Sequence, residues 1–208
     1  MKPKNDSVLM LTCEHASNKL PAAFKSAVPA EVLKTHCAYD IGALAVFRKL
    51  VKFAKPEFYS EGKFSRLFVD LNRTITNKSA FSDFLRNNKN AKAQATAYWN
   101  EYRAAIEKFV KANAKKEIIH LGIHSFTPEL NGKVRNTDIG ILYDPSRPKE
   151  CELAQVIKAE IKRLHPEMKV RFNYPYKGTS DGLTTTLRKK LGPRYAGLEI
   201  EINQKFFL

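Results

Sequence analysis

Cysteine is scarce: Cys13, Cys37 and Cys151 are the three in a chain of 208 residues. Their odd number and wide spacing exclude a disulfide framework and a structural zinc knuckle. No apolar run approaches the roughly 20 residues that a bilayer-crossing helix needs, so no transmembrane segment is expected. The opening Met1-Lys2-Pro3-Lys4-Asn5-Asp6-Ser7 lacks a signal-peptide pattern, because the apolar stretch behind it is short and soon meets charge. These absences place the chain in the cytoplasm. Acidic residues are also few, 21 against 36 Lys and Arg, for a formal charge of +15. Such an excess suits nucleic acid or another acidic partner. The basic positions are dispersed, however, from Lys49 and Lys52 through 86–116 and 158–171 to 188–190. No helix-turn-helix, zinc-finger or aromatic RNA-binding pattern accompanies them. A solvated basic surface is the simpler account.

What is present reads as one domain, 1–208, with 43% hydrophobic residues to build a core. Its organising stretch is the apolar run Val8 to Thr12, which stops abruptly at Glu14-His15. In an open α/β sheet, functional groups gather where loops leave the carboxyl ends of strands. A carboxylate beside an imidazole at such a point can hold a divalent metal or move protons. The plain alternative is a strand followed by a surface Glu and His. Cys13 could act as a nucleophile there, but a residue just before a polar dipeptide at a strand end is more often packed.

Further along, Pro21 to Val28 reads as a short helix. The apolar positions Leu44, Val46, Phe47, Leu50, Val51 and Phe53 then recur at helical spacing. Asp40 suits the N-cap of that helix, or, as a carboxylate near the strand ends, a ligand. Leu67 to Leu71 looks like a buried strand delivering Asp70, Asn72 and Arg73 at its end. The planar fork of Arg grips a carboxylate with two parallel bonds, and Asn adds a third, so this end suits an anionic substrate. For Arg73 alone, a surface salt bridge is the competing reading. A polar segment over 77–90 is a candidate lid. The stripe Tyr98, Tyr102, Ile106, Phe109 and Val110 marks a long helix over 91–114 and reads as core packing.

The stretch 117–124 reads as a central strand. His120 and His124 share one of its faces, with His124 at the end where chemistry is expected and His120 deeper, as a satisfied core histidine. Arg135 brings a second guanidinium to the same edge. A strand over 137–144, a helix from Pro148 to about Leu164 and a short strand over 170–173 follow. The Gly-rich loop 174–182 lacks the spacing of a phosphate-binding loop. A helix over 183–191 leads to the last strand, 197–204, which alternates carboxylate with isoleucine. Glu199 and Glu201 therefore share a face. Two acids there cost free energy unless they meet a metal or cations.

Seven stretches together carry a resemblance: Cys-Glu-His-Ala-Ser-Asn (13–18), Tyr-Asp-Ile-Gly-Ala (39–43), Ser-Arg-Leu-Phe-Val-Asp-Leu-Asn-Arg (65–73), His-Ser-Phe-Thr-Pro (124–128), Asp-Ile-Gly-Ile-Leu-Tyr-Asp (138–144), Asn-Tyr-Pro-Tyr (173–176) and Gly-Leu-Glu-Ile-Glu-Ile-Asn-Gln (197–204). In this order the chain resembles the N-formylglutamate amidohydrolase family, itself similar to zinc-dependent exopeptidases and aspartoacylases. The resemblance implies an α/β fold, a three-layer mixed sheet flanked by helices of the phosphorylase/hydrolase and zinc-exopeptidase kind. It also implies metal-assisted hydrolysis of an N-formyl or N-acyl amide on an acidic amino acid or related carboxylate.

By that resemblance His15 and His124 hold a divalent metal such as zinc, and Asn72 and Arg73 hold the substrate carboxylate, supported by Arg135 and Ser125. The aspartoacylase pattern has a Glu three residues after the first His. Here Asn18 stands in that place. Glu14 is chosen as the replacement ligand, with Asn18 and Asp40 as the alternatives. The general base comes from the last strand, as Glu201 or Glu199. The missing ligand pair and the +15 charge motivate a rival of another class, an inactive hydrolase-fold protein that binds nucleic acid or an acidic partner.

Overall fold

The computed structural model describes residues 7–208, and the signal-peptide reading of the first six positions lies outside the described residues. Strand β1 (Ser7–Cys13) is the expected opening strand, one residue longer at each end. Helix α1 (Ala43–Ala54), strand β2 (Phe58–Glu61), helix α2 (Lys89–Ala112) and strand β3 (Glu117–Phe126) follow. A two-residue-armed hairpin of β4 (Glu129–Leu130) and β5 (Lys133–Val134) leads into β6 (Ile139–Leu142) and helix α3 (Pro148–Leu164). Strand β7 (Val170–Phe172), helix α4 (Leu183–Leu191) and strand β8 (Tyr195–Asn203) complete the chain's main elements.

The sheet order is β2-β1-β3-β8-β6-β7, six strands in all. β2, β1, β3 and β8 run parallel, while β6 lies antiparallel to β8 and β7 parallel to β6. The period-2 alternation of each strand decides which helices it meets. Val8, Met10, Ile118 and Tyr195 pack with α2 and α4, through Tyr102, Ile106, Leu183 and Leu187. Leu11, Cys13 and Ile123 pack with α1 through Ala43 and Phe47. Leu198 and Ile141 meet α3 through Ala154. Helices thus cover both faces, giving the three-layer mixed sheet expected. Phe47 is 1% exposed at the centre of its cluster, and its truncation to Ala would cost about 3–5 kcal/mol.

Three local expectations are corrected. Residues 67–71 form no strand. Phe68 N donates to Ser65 O at 2.9 Å and Leu67 N to Ser65 Oγ at 3.1 Å, so turns and a hydroxyl satisfy this backbone instead of a neighbouring strand. Phe68, Val69 and Leu71 are nevertheless buried, and that produced the strand-like apolar run. The sheet edge belongs to β2, which the pattern did not mark. The segment after Pro21 is a tight 3₁₀ turn, Ala22–Ala27, with only Phe24 buried. Helix α1 is capped by Gly42, at φ +82°, and not by the side chain of Asp40. A left-handed residue there is cheap only for glycine, and a Cβ would also strike the Phe207 ring. The bend frees the Asp40 carboxylate for another task. No helix among the described residues is long and apolar enough to cross a membrane.

Candidate active site

Parallel pairing of β3 with β8 sets His124 opposite Glu201 and Gly122 opposite Glu199. Since β3 also runs parallel to β1, the carboxyl ends of β1, β3 and β8 open on one edge, where Glu14 and His15 follow β1.

His15 Nε2 lies 2.8 Å from Asp70 Oδ1, and its Nδ1 3.4 Å from Asp40 Oδ2. His124 Nδ1 lies 3.0 Å from the same Asp40 oxygen, and its Nε2 3.1 Å from Glu14 Oε2. The two imidazoles stand edge to face, 5.1 Å apart. One nitrogen of each ring therefore converges on Asp40, and the other rests on a separate carboxylate. All five side chains are buried. Asp40 also accepts from Ser125 N at 3.2 Å, and Arg66 Nη2 reaches Asp70 Oδ2 at 2.9 Å.

These contacts shape the electrostatics. Burial pushes the Glu14 carboxyl up, but His124 outweighs it and holds the group down to about 2. Asp40 and Asp70 are likewise held below the usual carboxylate range, against burial, chiefly by His15. Burial depresses both site histidines, and the carboxylates more than reverse it: Asp70 and Asp40 raise His15, while Asp40 and Glu14 raise His124. Glu201 goes the other way. Burial drives it up to about 8, with the negative charges of Asp40 and Glu199 adding to the effect against His124. Its Oε2 has no hydrogen-bond partner among the described residues.

The cluster floors a cavity of about 160 Å³. Glu199, Glu201, Asn72, Arg73 and Ser125 line it as well, and Arg66, Tyr176, Lys177, Ser180 and Asp181 complete its wall. Asn72 Oδ1 accepts from Leu183 N at 2.8 Å, and its Nδ2 faces Glu199 Oε1 at 3.4 Å. Thr184 Oγ1 donates to that same oxygen at 3.0 Å. Arg73 Nη1 donates to the Asp181 carbonyl.

His15, Asp40 and His124 each offer a ligand atom, all within 4.8 Å of one another. Two imidazoles and a carboxylate are a familiar zinc donor set with arms of about 2.0–2.2 Å, and a tetrahedron with such arms has edges of roughly 3.3 Å. The 3.0 and 3.4 Å separations from Asp40 Oδ2 match that edge. Carboxylates on the far nitrogens of both rings complete the pattern that orients ligating histidines. The residues present fit a divalent ion.

Other expected site residues fall at different depths. Glu14 stands behind His124, where Tyr102 OH also donates to it at 3.2 Å. Asn18 lines a separate depression with Tyr39 and Arg48. Arg135 lies outside the cavity wall. It stacks on the Tyr176 ring at 5.2 Å and donates to its hydroxyl at 3.2 Å, so it meets the site through Tyr176. The hydroxyl of Ser125 donates to Ile41 O at 2.8 Å. His120 sits deep, between Thr12 Oγ1 at 2.7 Å and Tyr195 OH at 2.6 Å. Arg66 and Lys177 escaped sequence reasoning. Arg66 stands just before the run 67–71 read as a strand, and Lys177 lies in a loop whose sequence shows only that phosphate-binding spacing is missing.

Fold and site together define an α/β enzyme-like protein with a buried acid–imidazole cluster and cationic side chains at the carboxyl edge of its sheet. The sequence profile of the N-formylglutamate amidohydrolase family matches residues 7–208, and the chain belongs to that family of amide hydrolases. The gene product Atu2144 from Agrobacterium tumefaciens has a similar structure, with a TM-score of 0.79 and 29% identity, covering 96% of this chain and 81% of that one. N-formylglutamate amidohydrolase from Ralstonia eutropha JMP134 shares the fold at a TM-score of 0.62 and 17% identity, covering 98% of this chain and 84% of that one. A search of curated proteins returns no match.

Proposed function

We propose that the chain hydrolyses the amide bond of an N-formyl or N-acyl acidic amino acid with the help of a divalent metal, zinc foremost, held by His15, His124 and Asp40. One observation carries this reading: the near nitrogens of two buried imidazoles converge on one Asp40 oxygen, on the floor of a cavity that also holds Glu201. Residues from 15 to 201 line that one cavity, so the catalytic unit proposed is the whole chain as a single domain. A metal bound there would polarise the scissile carbonyl and acidify a water.

The chain's own groups do the rest. Asp70 and Glu14 fix the ring orientation of His15 and His124. Glu201 takes the proton of the attacking water and hands it to the leaving amine, a task open to a cavity-lining carboxyl whose Oε2 has no other partner among the described residues and whose negative form a bound cation would favour. Glu199, held by Thr184 and facing Asn72, orients the substrate-binding side of the cavity. Arg66 is engaged by Asp40 and Asp70, whereas Arg73 and Lys177 line the cavity with no ion-pair partner among the described residues. Arg73, with Asn72, grips the substrate carboxylate, and Lys177 adds positive charge. Arg135 and Ser125 support this side through Tyr176 and Asp40.

Elemental analysis of the purified protein, paired with turnover of N-formyl-L-glutamate before and after chelation, tests the reading. Chelation should abolish turnover, and zinc should restore it. The double change His15→Ala with His124→Ala should remove both metal and activity. Full turnover in metal-free protein, or full metal occupancy in the double variant, sinks the assignment.

A further inference from the structure

Arg103 projects from α2 into the protein at 6% exposure, and no carboxylate pairs with it among the described residues. Burying a guanidinium without a counter-ion is costly. Its Nε and Nη1 find no partner among the described residues. The bonds it does make are directed at one short stretch. Nη2 donates to Leu71 O at 2.8 Å and to Arg73 O at 3.2 Å, the two carbonyls on either side of Asn72. One turn earlier on the same helix, Trp99 Nε1 donates to Arg73 O at 3.0 Å. The guanidinium stacks on the Trp99 ring at 4.8 Å, which fixes the two side chains against each other.

From these contacts we infer that Arg103 and Trp99 are positioning residues for the substrate-binding segment Asn72-Arg73. Neither side chain reaches the Asn72 or Arg73 side-chain groups; both act on the backbone that aims them. The segment has no strand partner, since residues 67–71 form no strand, so no sheet ladder holds its backbone in register. The α2 pair supplies that restraint from below, while Asp70 Oδ1 accepts from Asn72 N at 2.9 Å and Asp181 O accepts from the Arg73 side chain. A donor lost from this pair lets the segment shift by its own flexibility. The consequence falls first on substrate carboxylate binding, because His15, His124 and Asp40 stand on other segments and Asp70, which touches His15, is held separately by Arg66. This inference rests on the proposed role of Asn72 and Arg73.

Three variants test it, with N-formyl-L-glutamate as substrate: Arg103→Lys, Trp99→Phe and, as reference, Arg73→Ala. Trp99→Phe keeps the ring and removes only the N–H, so it provides a mild probe even if Arg103→Lys fails to fold. Both α2 variants should raise KM about three- to tenfold, the range for one lost hydrogen bond, with kcat within about twofold and bound zinc unchanged. Trp99 is also the single tryptophan in the chain, so glutamate binding to otherwise unaltered protein should perturb its fluorescence, and Arg73→Ala should abolish that change. Unchanged KM in a folded Trp99→Phe protein, or a fall in kcat at constant KM, overturns the inference. If Arg73→Ala itself leaves KM unaltered, the substrate-binding assignment of Arg73 fails first, which separates the two results.

Discussion

Glu201 shows how one residue's surroundings select its chemistry. Its neighbour two positions back, Glu199, lies on the same face of the same strand, yet accepts a hydroxyl donor and faces an amide, whereas Glu201 has an oxygen with no partner among the described residues and a pKa raised by burial to about 8. Positions two apart along a strand are separated by about 6.6 Å, so only one of the two acids reaches a given water directly. The parallel register puts Glu201 beside His124. On the proposed mechanism, Glu201→Gln should bind metal as the unaltered protein does and lose about 10²- to 10⁴-fold in kcat, the range for a general acid–base group. Glu199→Gln should cost less, with its effect falling on KM through Asn72. These rankings are read from kcat and KM at matched metal content, and the opposite order would transfer the base to Glu199.

At the scale of elements, the wall of the cavity opposite the histidines is the loop 174–182, and a buried ion network ties it to α3, α4 and β8. Glu150, fully buried on α3, lies 2.9 Å from Arg188 Nε and 3.0 Å from Arg147 Nε, and accepts from Asp144 N at 2.9 Å. Arg188 in turn donates to Gly197 O at 2.7 Å and to Gly178 O in the loop. Removing one member leaves a buried guanidinium unpaired, so Glu150→Ala should destabilise the protein by about 3–5 kcal/mol. A lower urea midpoint at unchanged slope would show this, and a loss under about 1 kcal/mol would show the network to be replaceable. How legible such elements were depended on whether the signal was local. Both bounds of α3 and of α4 stood in the sequence, because apolar spacing and, for α3, a leading proline are properties of the segment itself. The pairing of His124 with Glu201 was half legible, through strand ends and alternation, but needed the sheet's parallel order. Asp40 was readable only as a cap or a ligand, since its partners lie 25 to 85 residues away. β2, four residues long at an edge, carried no periodicity to detect.

For the whole molecule, the +15 charge and the buried histidines set the response to acid together. His120 bridges two buried hydroxyls, which a neutral ring satisfies with one donor and one acceptor nitrogen; protonation removes the acceptor. Burial, joined by the positive charges of His124, Arg188 and Arg103 and opposed by Glu14, brings its pKa down to about 4, against an ordinary 6.5. Between those values the unfolded chain binds a proton that the folded protein refuses. The His120 contribution to stability is therefore complete above pH 6.5 and declines as pH falls toward 4, by up to about 1.36 kcal/mol per pH unit, roughly 3 kcal/mol across the window. His15 and His124 act on the other side of pH 6.5, where their raised values remove stability as pH climbs. Glu201, raised from 4.5 to about 8, binds a proton in the folded protein over the same window, gains stability as pH falls and offsets the His120 slope. The buried carboxylates Glu14, Asp40 and Asp70, held low, act mainly below that window. Repulsion among the surplus cations adds to the acid loss but is screened over about 8 Å at 0.15 M salt, so raising the salt separates the two causes. Urea unfolding of chelator-treated protein carrying Glu201→Gln, which removes the opposing titration, should show the decline between pH 7 and 4 at fixed high salt. His120→Gln retains a donor and an acceptor for Thr12 and Tyr195 without titrating, and should flatten it. Parallel pH curves with and without the His120 change, both in the Glu201→Gln background, would place the proton elsewhere.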